Sequence, residues 1–274
     1  MIVLYILLGL LSFILLLLLV LLCMASCHRK KQSDMALLLK TRYAHRGLHD
    51  DTLPENSLAA IKKAAEKEYG IEFDLHLTAD GALAVVHDDT LTRTCGVDLK
   101  VNDTTLEALR RHPLSDGSPI PCFEEVLQAV NGSVPLLIEL KNDGNNGKIL
   151  VKRTLEALEG YKGAYCIESF DPRVLLALKK QAPRVIRGQL CCNFMKEKRM
   201  PLHLRLLLSP MLLNAFTKPD FVAYRLEDQK SLPLRAARAA GTPLFFWTVK
   251  NKNAALAETN KGSAVIFEGF DLYK

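Results

Sequence analysis

The 274-residue chain has no G-x-G-x-x-G segment, no C-x-x-C pair and no long basic run interleaved with aromatics. The first absence argues against a nucleotide-binding doubly wound sheet, the second against a cysteine-metal site, the third against nucleic acid. The formal charge of +6 is modest, with acidic residues dispersed among the basic ones. Seven cysteines are an odd count and Cys191 and Cys192 are adjacent, which reads as reduced core thiols rather than a disulfide framework. Charge itself is missing from residues 2–24. At about 1.5 Å per residue such a run crosses a hydrocarbon core of about 30 Å. A cleaved signal peptide is the rival, but nothing basic precedes the apolar run and the run is long for that purpose. Residues 1–27 are therefore expected to form a transmembrane helix, 28–40 a basic juxtamembrane linker, and 41–274 the folded body. His28-Arg29-Lys30-Lys31 follows the apolar run directly, against no charge before it. By the positive-inside rule the protein is single-pass in the cell membrane, with its body in the cytoplasm.

What is present is organised around residues 71–88. Ile71 to Leu77 alternates apolar and polar side chains, the period of a half-buried strand. Glu72, Asp74 and His76 share one face, and Ile71, Phe73 and Leu75 the other. Asp80-Gly81 signals a hairpin turn, and the return strand from Ala82 to Val86 delivers His87 and Asp88 at its end. Two carboxylates two residues apart on one strand make a compact site for a hard divalent cation.

The rest of the chain repeats a strand–helix rhythm. Arg42 to Ala44 reads as a brief strand running into a loop marked by Gly47 and Pro54, with Asn56 or Ser57 capping a helix from Leu58. Further strands are expected at 135–141, 165–169, 184–190, 221–224, 244–249 and 264–268, alternating with helices at 123–130, 148–158, 172–180, 232–240 and 252–259. About eight strands precede helices, with 82–86 as an extra hairpin. The expected fold is α/β, a (β/α)8 TIM barrel behind one N-terminal transmembrane helix. Polar residues stand at many strand ends, among them His45, Glu139, Lys141, Glu168, Arg225, Trp247 and Glu268, where barrel enzymes build their sites. Residues 191–219 break the rhythm. They set lysines, arginines and His203 among leucines, and read either as an amphipathic helix on the barrel or as a basic, apolar flap on an anionic membrane.

Six short motifs in this order resemble the glycerophosphodiester phosphodiesterase family, in a membrane-anchored member of bacterial type. They are His45-Arg46-Gly47, Pro54-Glu55-Asn56, Glu72-Phe73-Asp74, Thr78-Ala79-Asp80-Gly81, His87-Asp88 and Glu139-Leu140-Lys141. Ser169-Phe170-Asp171 and Trp247-Thr248-Val249 fit later blocks, so the resemblance covers residues 42–270. It implies that His45 and His87 form an acid–base pair and that Glu72, Asp74 and Glu139 hold one divalent ion, Ca²⁺ or Mg²⁺. It also implies that Arg46 and Lys141 contact phosphate, that Trp247 walls the pocket, and that Glu55 and Asn56 support the site. Glu268 stands where many relatives carry Thr-Asp. The insert 89–120 is short for a capping subdomain, which implies an open site.

The chemistry needs such parts. Negative charge accumulates on a phosphodiester's oxygens in the transition state, and a cation with Arg46 and Lys141 would stabilise it. Two histidines titrating near neutrality can exchange one proton each. The expected substrates are glycerophosphodiesters or lysophospholipids, with contact to the membrane through the N-terminal helix and through 191–219. The alternatives are a lysophospholipase D-type activity on membrane lysolipids and, in another class, a non-catalytic membrane-tethered binding protein.

Overall fold

The computed structural model describes residues 1–24 and 32–272; the basic cluster at 28–31 lies outside the described residues. Helix α1 (Ile2–Met24) is long and apolar enough to cross a membrane, and no part of its apolar window is buried in the protein. The body is built on strands β1 (Arg42–Ala44), β2 (Gly70–Leu77), β3 (Leu83–Val85), β4 (Leu136–Leu140) and β5 (Tyr165–Ser169). The remaining strands are β6 (Arg187–Cys191), β7 (Phe221–Arg225), β8 (Leu244–Val249) and β9 (Ala264–Phe267). Parallel pairing runs from β2 through β4 to β9, and β1 pairs in parallel with both β9 and β2. That last pairing closes an eight-strand parallel barrel, and β3 lies outside the parallel set, antiparallel to β2. The architecture is the expected TIM barrel.

Helices Leu58–Glu66, Phe123–Val130, Gly147–Ala157, Pro172–Gln181, Leu232–Ala239 and Lys252–Asn260 form the outer ring. Ser57, rather than Asn56, caps the first, its hydroxyl accepting from the Ala60 N–H at 3.1 Å. Phe73, Ile138, Ile167 and Phe246 pack outward against this ring. Alternate residues, among them Leu137, Phe221, Phe245 and Ile266, fill the lumen. The alternation in β2 does not mark a half-buried strand: every residue of β2 is buried. Its polar face looks into the closed barrel instead of into water, which the period alone cannot distinguish.

Residues 32–40 are not a linker. They form helix α2 (Gln32–Lys40), and Met35 and Leu38, 8% and 1% exposed, pack into the lumenal cluster at the amino ends of the strands. The Tyr43 hydroxyl donates to the Leu38 carbonyl at 3.2 Å, fastening the helix to β1. Methionine and leucine spaced three apart lie on one helical face, so this short segment closes the barrel floor. Residues 191–219 are not one long helix either. They hold a 3₁₀ turn at Phe194–Lys196 and short helices at Leu202–Leu208 and Asn214–Thr217.

Candidate active site

The carboxyl ends of β1, β2, β4, β5 and β8, with the return from β3, place the predicted residues around one pocket of about 80 Å³. Its lining includes His45, Arg46, Glu72, His87, Glu139, Lys141 and Trp247. Strand register puts Asp74 opposite Glu139, and Glu139 opposite Glu168. Glu72, Asp74 and Glu139 are buried and can bring one oxygen each within 4.8 Å of the others, a geometry that could hold a metal ion.

The electrostatics of this trio are strained. Burial, then the charges of Asp74 and Glu139, raise the Glu72 pKa well above the carboxylate range. Burial also raises Glu139, to about 7, against the attraction of Lys141. Asp74 moves the opposite way. Burial opposes its charge, but Lys141, His87 and Arg46 outweigh that and hold it ionised. The Lys141 ammonium bridges Glu139 at 2.7 Å and Asp74 at 3.0 Å, and these contacts keep it charged despite burial. Asp74 Oδ1 has this ion pair but no hydrogen bond. Three buried carboxylates facing two cations fit a hard divalent ion with oxygen ligands.

Arg46 and Asn56 organise the near wall, and both have left-handed backbones, with φ of 54° and 58°. That conformation is costly for residues other than glycine and turns the Arg46 N–H onto Glu72 Oε2 at 2.9 Å. Gly47 follows at φ 80°, where a side chain would meet the backbone of Ala60 at 2.8 Å. The Asn56 side-chain amide donates to Asp74 Oδ2 at 2.9 Å. The Arg46 guanidinium donates to Glu55 at 2.8 Å and lies 3.5 Å from Asp74. Burial works against this cation, but Asp74, Glu55 and Glu72 together raise its pKa.

Each of the two histidines has a carboxylate behind it. His45 Nδ1 lies 2.6 Å from Glu268 Oε2, and His87 Nδ1 lies 2.6 Å from Asp88 Oδ1. An acceptor at Nδ1 selects the tautomer with its proton there and leaves Nε2 for exchange. Burial lowers the His87 pKa, with the Asp74 charge opposing. The hydrogen bond from His45 is the main reason Glu268 falls to about 2.

One contributor, Arg93, carries no readable signal in the sequence, and others named there take on partners only in the fold. Arg93, in the 89–120 insert, donates to Asp88 at 2.7 Å and to both Glu55 oxygens at 2.8 and 2.7 Å, linking the two walls. Glu168 is buried beside the trio, and burial followed by Glu139 and Glu72 raises its pKa well above normal. Phe170 meets Trp247 edge-on at 5.4 Å and is met in turn by Phe194 at 6.4 Å. His76 shares the face of Glu72 and Asp74, but its Nε2 lies 3.1 Å from the His87 carbonyl, where it braces the return strand. His49 stands close to His45 and Glu268.

Comparison with known proteins agrees with this geometry. The glycerophosphoryl diester phosphodiesterase family model matches residues 45–267. A glycerophosphodiester phosphodiesterase of Caldanaerobacter subterraneus subsp. tengcongensis is 31% identical over 222 residues, covering 76% of this chain and 85% of its own. Among solved structures, an Oleispira antarctica phosphodiesterase in complex with the product sn-glycerol-3-phosphate superposes with a TM-score of 0.70 at 21% identity, covering 83% of this chain and 92% of that one. A Thermotoga maritima glycerophosphodiester phosphodiesterase gives 0.63 at 25% identity, over 83% and 94% of the two chains. With its closed barrel, its buried acidic trio and a family match spanning nearly the whole body, the chain belongs to the glycerophosphoryl diester phosphodiesterase family.

Proposed function

We propose that the protein hydrolyses glycerophosphodiesters to sn-glycerol 3-phosphate and an alcohol, with His45 and His87 exchanging the protons. The observation that carries this reading is the pair of histidines, each backed by a carboxylate at 2.6 Å, flanking an acidic trio in one pocket. Glu72, Asp74 and Glu139 would hold Ca²⁺ or Mg²⁺, which, when bound, supplies positive charge to the phosphate oxygens. Arg46 and Lys141 add fixed cations, and Trp247 with Phe170 forms the apolar wall against the glycerol or the leaving group. In the first step the glycerol 2-hydroxyl gives its proton to one imidazole and attacks phosphorus. The other imidazole protonates the departing alcohol oxygen as the P–O bond breaks. Water then opens the cyclic phosphate with the two imidazoles in exchanged roles.

Helix α1 would anchor the enzyme in the cell membrane. The basic residues 28–31, outside the described residues, favour a cytoplasmic barrel. One observation favours a second reading, lysophospholipase D-type cleavage of membrane lysolipids. Leu202 and Leu206 of the helix Leu202–Leu208 are 54% and 55% exposed, on the loop whose Phe194 abuts the pocket wall. These leucines with Lys196, Lys198 and Arg199 would form the membrane flap within 191–219.

The test is release of glycerol 3-phosphate from glycerophosphocholine by the full chain in detergent, with and without EDTA, followed by Ca²⁺ or Mg²⁺. EDTA-sensitive release supports the reading. Cleavage of lysophosphatidylcholine alone transfers it to the lipid activity. Inertness on both substrates leaves a tethered binding protein.

A further inference from the structure

We propose that the barrel stands on the membrane by its floor, with the catalytic mouth turned away from the bilayer, so that its substrates are water-soluble, fully deacylated diesters. The inference rests on the proposed reading of α1 as a membrane anchor and of the pocket as a diesterase site.

Helix α2 supplies the first observation. It is docked under the barrel by Met35 and Leu38, at the end of the strands opposite the pocket. Seven residues, 25–31, separate the end of α1 from the start of α2. Even fully extended, they bridge roughly 28 Å. The eight residues of β2, tilted by about 36°, rise roughly 21 Å, and a helix beneath them adds about 10 Å. To lay the mouth on the bilayer, the connector would have to run up the whole flank of the barrel. It is too short.

Charge supplies the second observation. Lys162, Arg184 and Lys218 each stand three residues ahead of a barrel strand, and Lys40 two residues ahead of β1. All four therefore sit around the floor, where the exposed acids include Glu66, Glu68, Glu156 and Glu159. Lys162 and Arg184 also border a groove of about 390 Å³ beside Leu37 and Leu38 of α2. Two cations bordering a groove beside an exposed leucine, next to a membrane helix, complement anionic lipid headgroups. The mouth then opens a full barrel height above the headgroups. A lysolipid held in the bilayer by its acyl chain cannot bring its phosphate that far, whereas a deacylated diester reaches the pocket by diffusion.

Trp247 is the sole tryptophan and sits in the pocket wall, so its emission reports where the mouth lies. The full chain is reconstituted into phosphatidylcholine vesicles containing phosphatidylglycerol, with a fraction of the lipid carrying a nitroxide on its headgroup. The expected result is unchanged Trp247 emission on adding the nitroxide lipid, with quenching by soluble acrylamide. A floor reporter, Leu37→Trp combined with Trp247→Phe, is expected to lose emission to the same lipid, and to lose less when phosphatidylglycerol is omitted. Glycerophosphocholine is expected to be cleaved by the vesicle-bound chain, and lysophosphatidylcholine in the same bilayer to be spared. Quenching of Trp247 in chains that float with the vesicles, or cleavage of the bilayer-held lysolipid, overturns the orientation while leaving the anchor standing. Chains that fail to float remove the anchor, and the proposal with it. Floating, unquenched chains inert toward glycerophosphocholine support the orientation and reject the diesterase reading alone.

Discussion

His45 and Glu268 come from opposite ends of the barrel, the residue after β1 and the residue after β9, yet their side chains meet at 2.6 Å. The carboxylate fixes the ring's tautomer and orientation. Glu268→Gln keeps the shape and removes the charge. Since a hydrogen bond to a charged group contributes about 1.5–3 kcal/mol, kcat on glycerophosphocholine should fall roughly 10- to 100-fold. The Michaelis constant should stay nearly unchanged, the pH–rate profile should move, and Glu268→Asp should recover part of the loss. A variant with native kcat and an unmoved profile would leave Glu268 without a positioning role.

Glu72→Ala should abolish ion binding and turnover while the barrel stays folded. At a ligand concentration of about 100 times Kd, binding stabilises a folded protein by about 2.7 kcal/mol, roughly 5–10 °C in Tm for a body of this size. Differential scanning fluorimetry with Ca²⁺ or Mg²⁺ should show that shift in the parent chain and none in Glu72→Ala. A retained shift, or retained activity, would move the ion elsewhere.

Glu139 gives ion binding a pH dependence of definite sign. Its carboxyl is raised to about 7, so it carries a proton in the ion-free chain below neutrality, and burial shifts Glu72 in the same direction. An ion requires them ionised, so it displaces protons, and its affinity should increase as pH rises from 6 to 8. Calorimetry at pH 6 in two buffers of different ionisation enthalpy should register proton release. Affinity that is flat between pH 6 and 8 would contradict the assignment.

Arg93 ties Asp88 to Glu55 across the pocket edge. Its side chain is half exposed, so solvent screens the pairs, and Arg93→Ala should lower kcat only roughly threefold to tenfold. Arg93→Lys should recover little, because one ammonium cannot span both carboxylates as the guanidinium fork does. Stopped assays on both variants, with Tm measured alongside, separate this positioning effect from loss of fold.

The hairpin of β2 and β3 was legible because period-two alternation, Asp80-Gly81 and the terminal His87 all point the same way. The eight barrel strands were legible for the same reason of repetition. Arg93 was not, since a lone arginine in an irregular insert has no pattern, and its partners Glu55 and Asp88 are far apart in sequence. Helix α2 is only nine residues long, and its apolar residues acquire meaning from the barrel floor they cover. Residues 191–219 have the composition of one amphipathic helix, but Pro201 and the left-handed Met211 and Lys218 divide it. Glu268 was visible as a strand-end acid, while its partner depended on β9 closing onto β1.

That closure has a consequence for the growing chain. Synthesis delivers β1 near the start of the barrel and Glu268 only after β9, so His45 is finished long before the group that orients it exists. A nascent chain can assemble the acidic trio from β2 and β4, but it cannot align its first imidazole until β9 and the residue after it have been made. The pairing of His45 with Glu268 thus waits on closure of the barrel, and a chain that stops short of β9 lacks it.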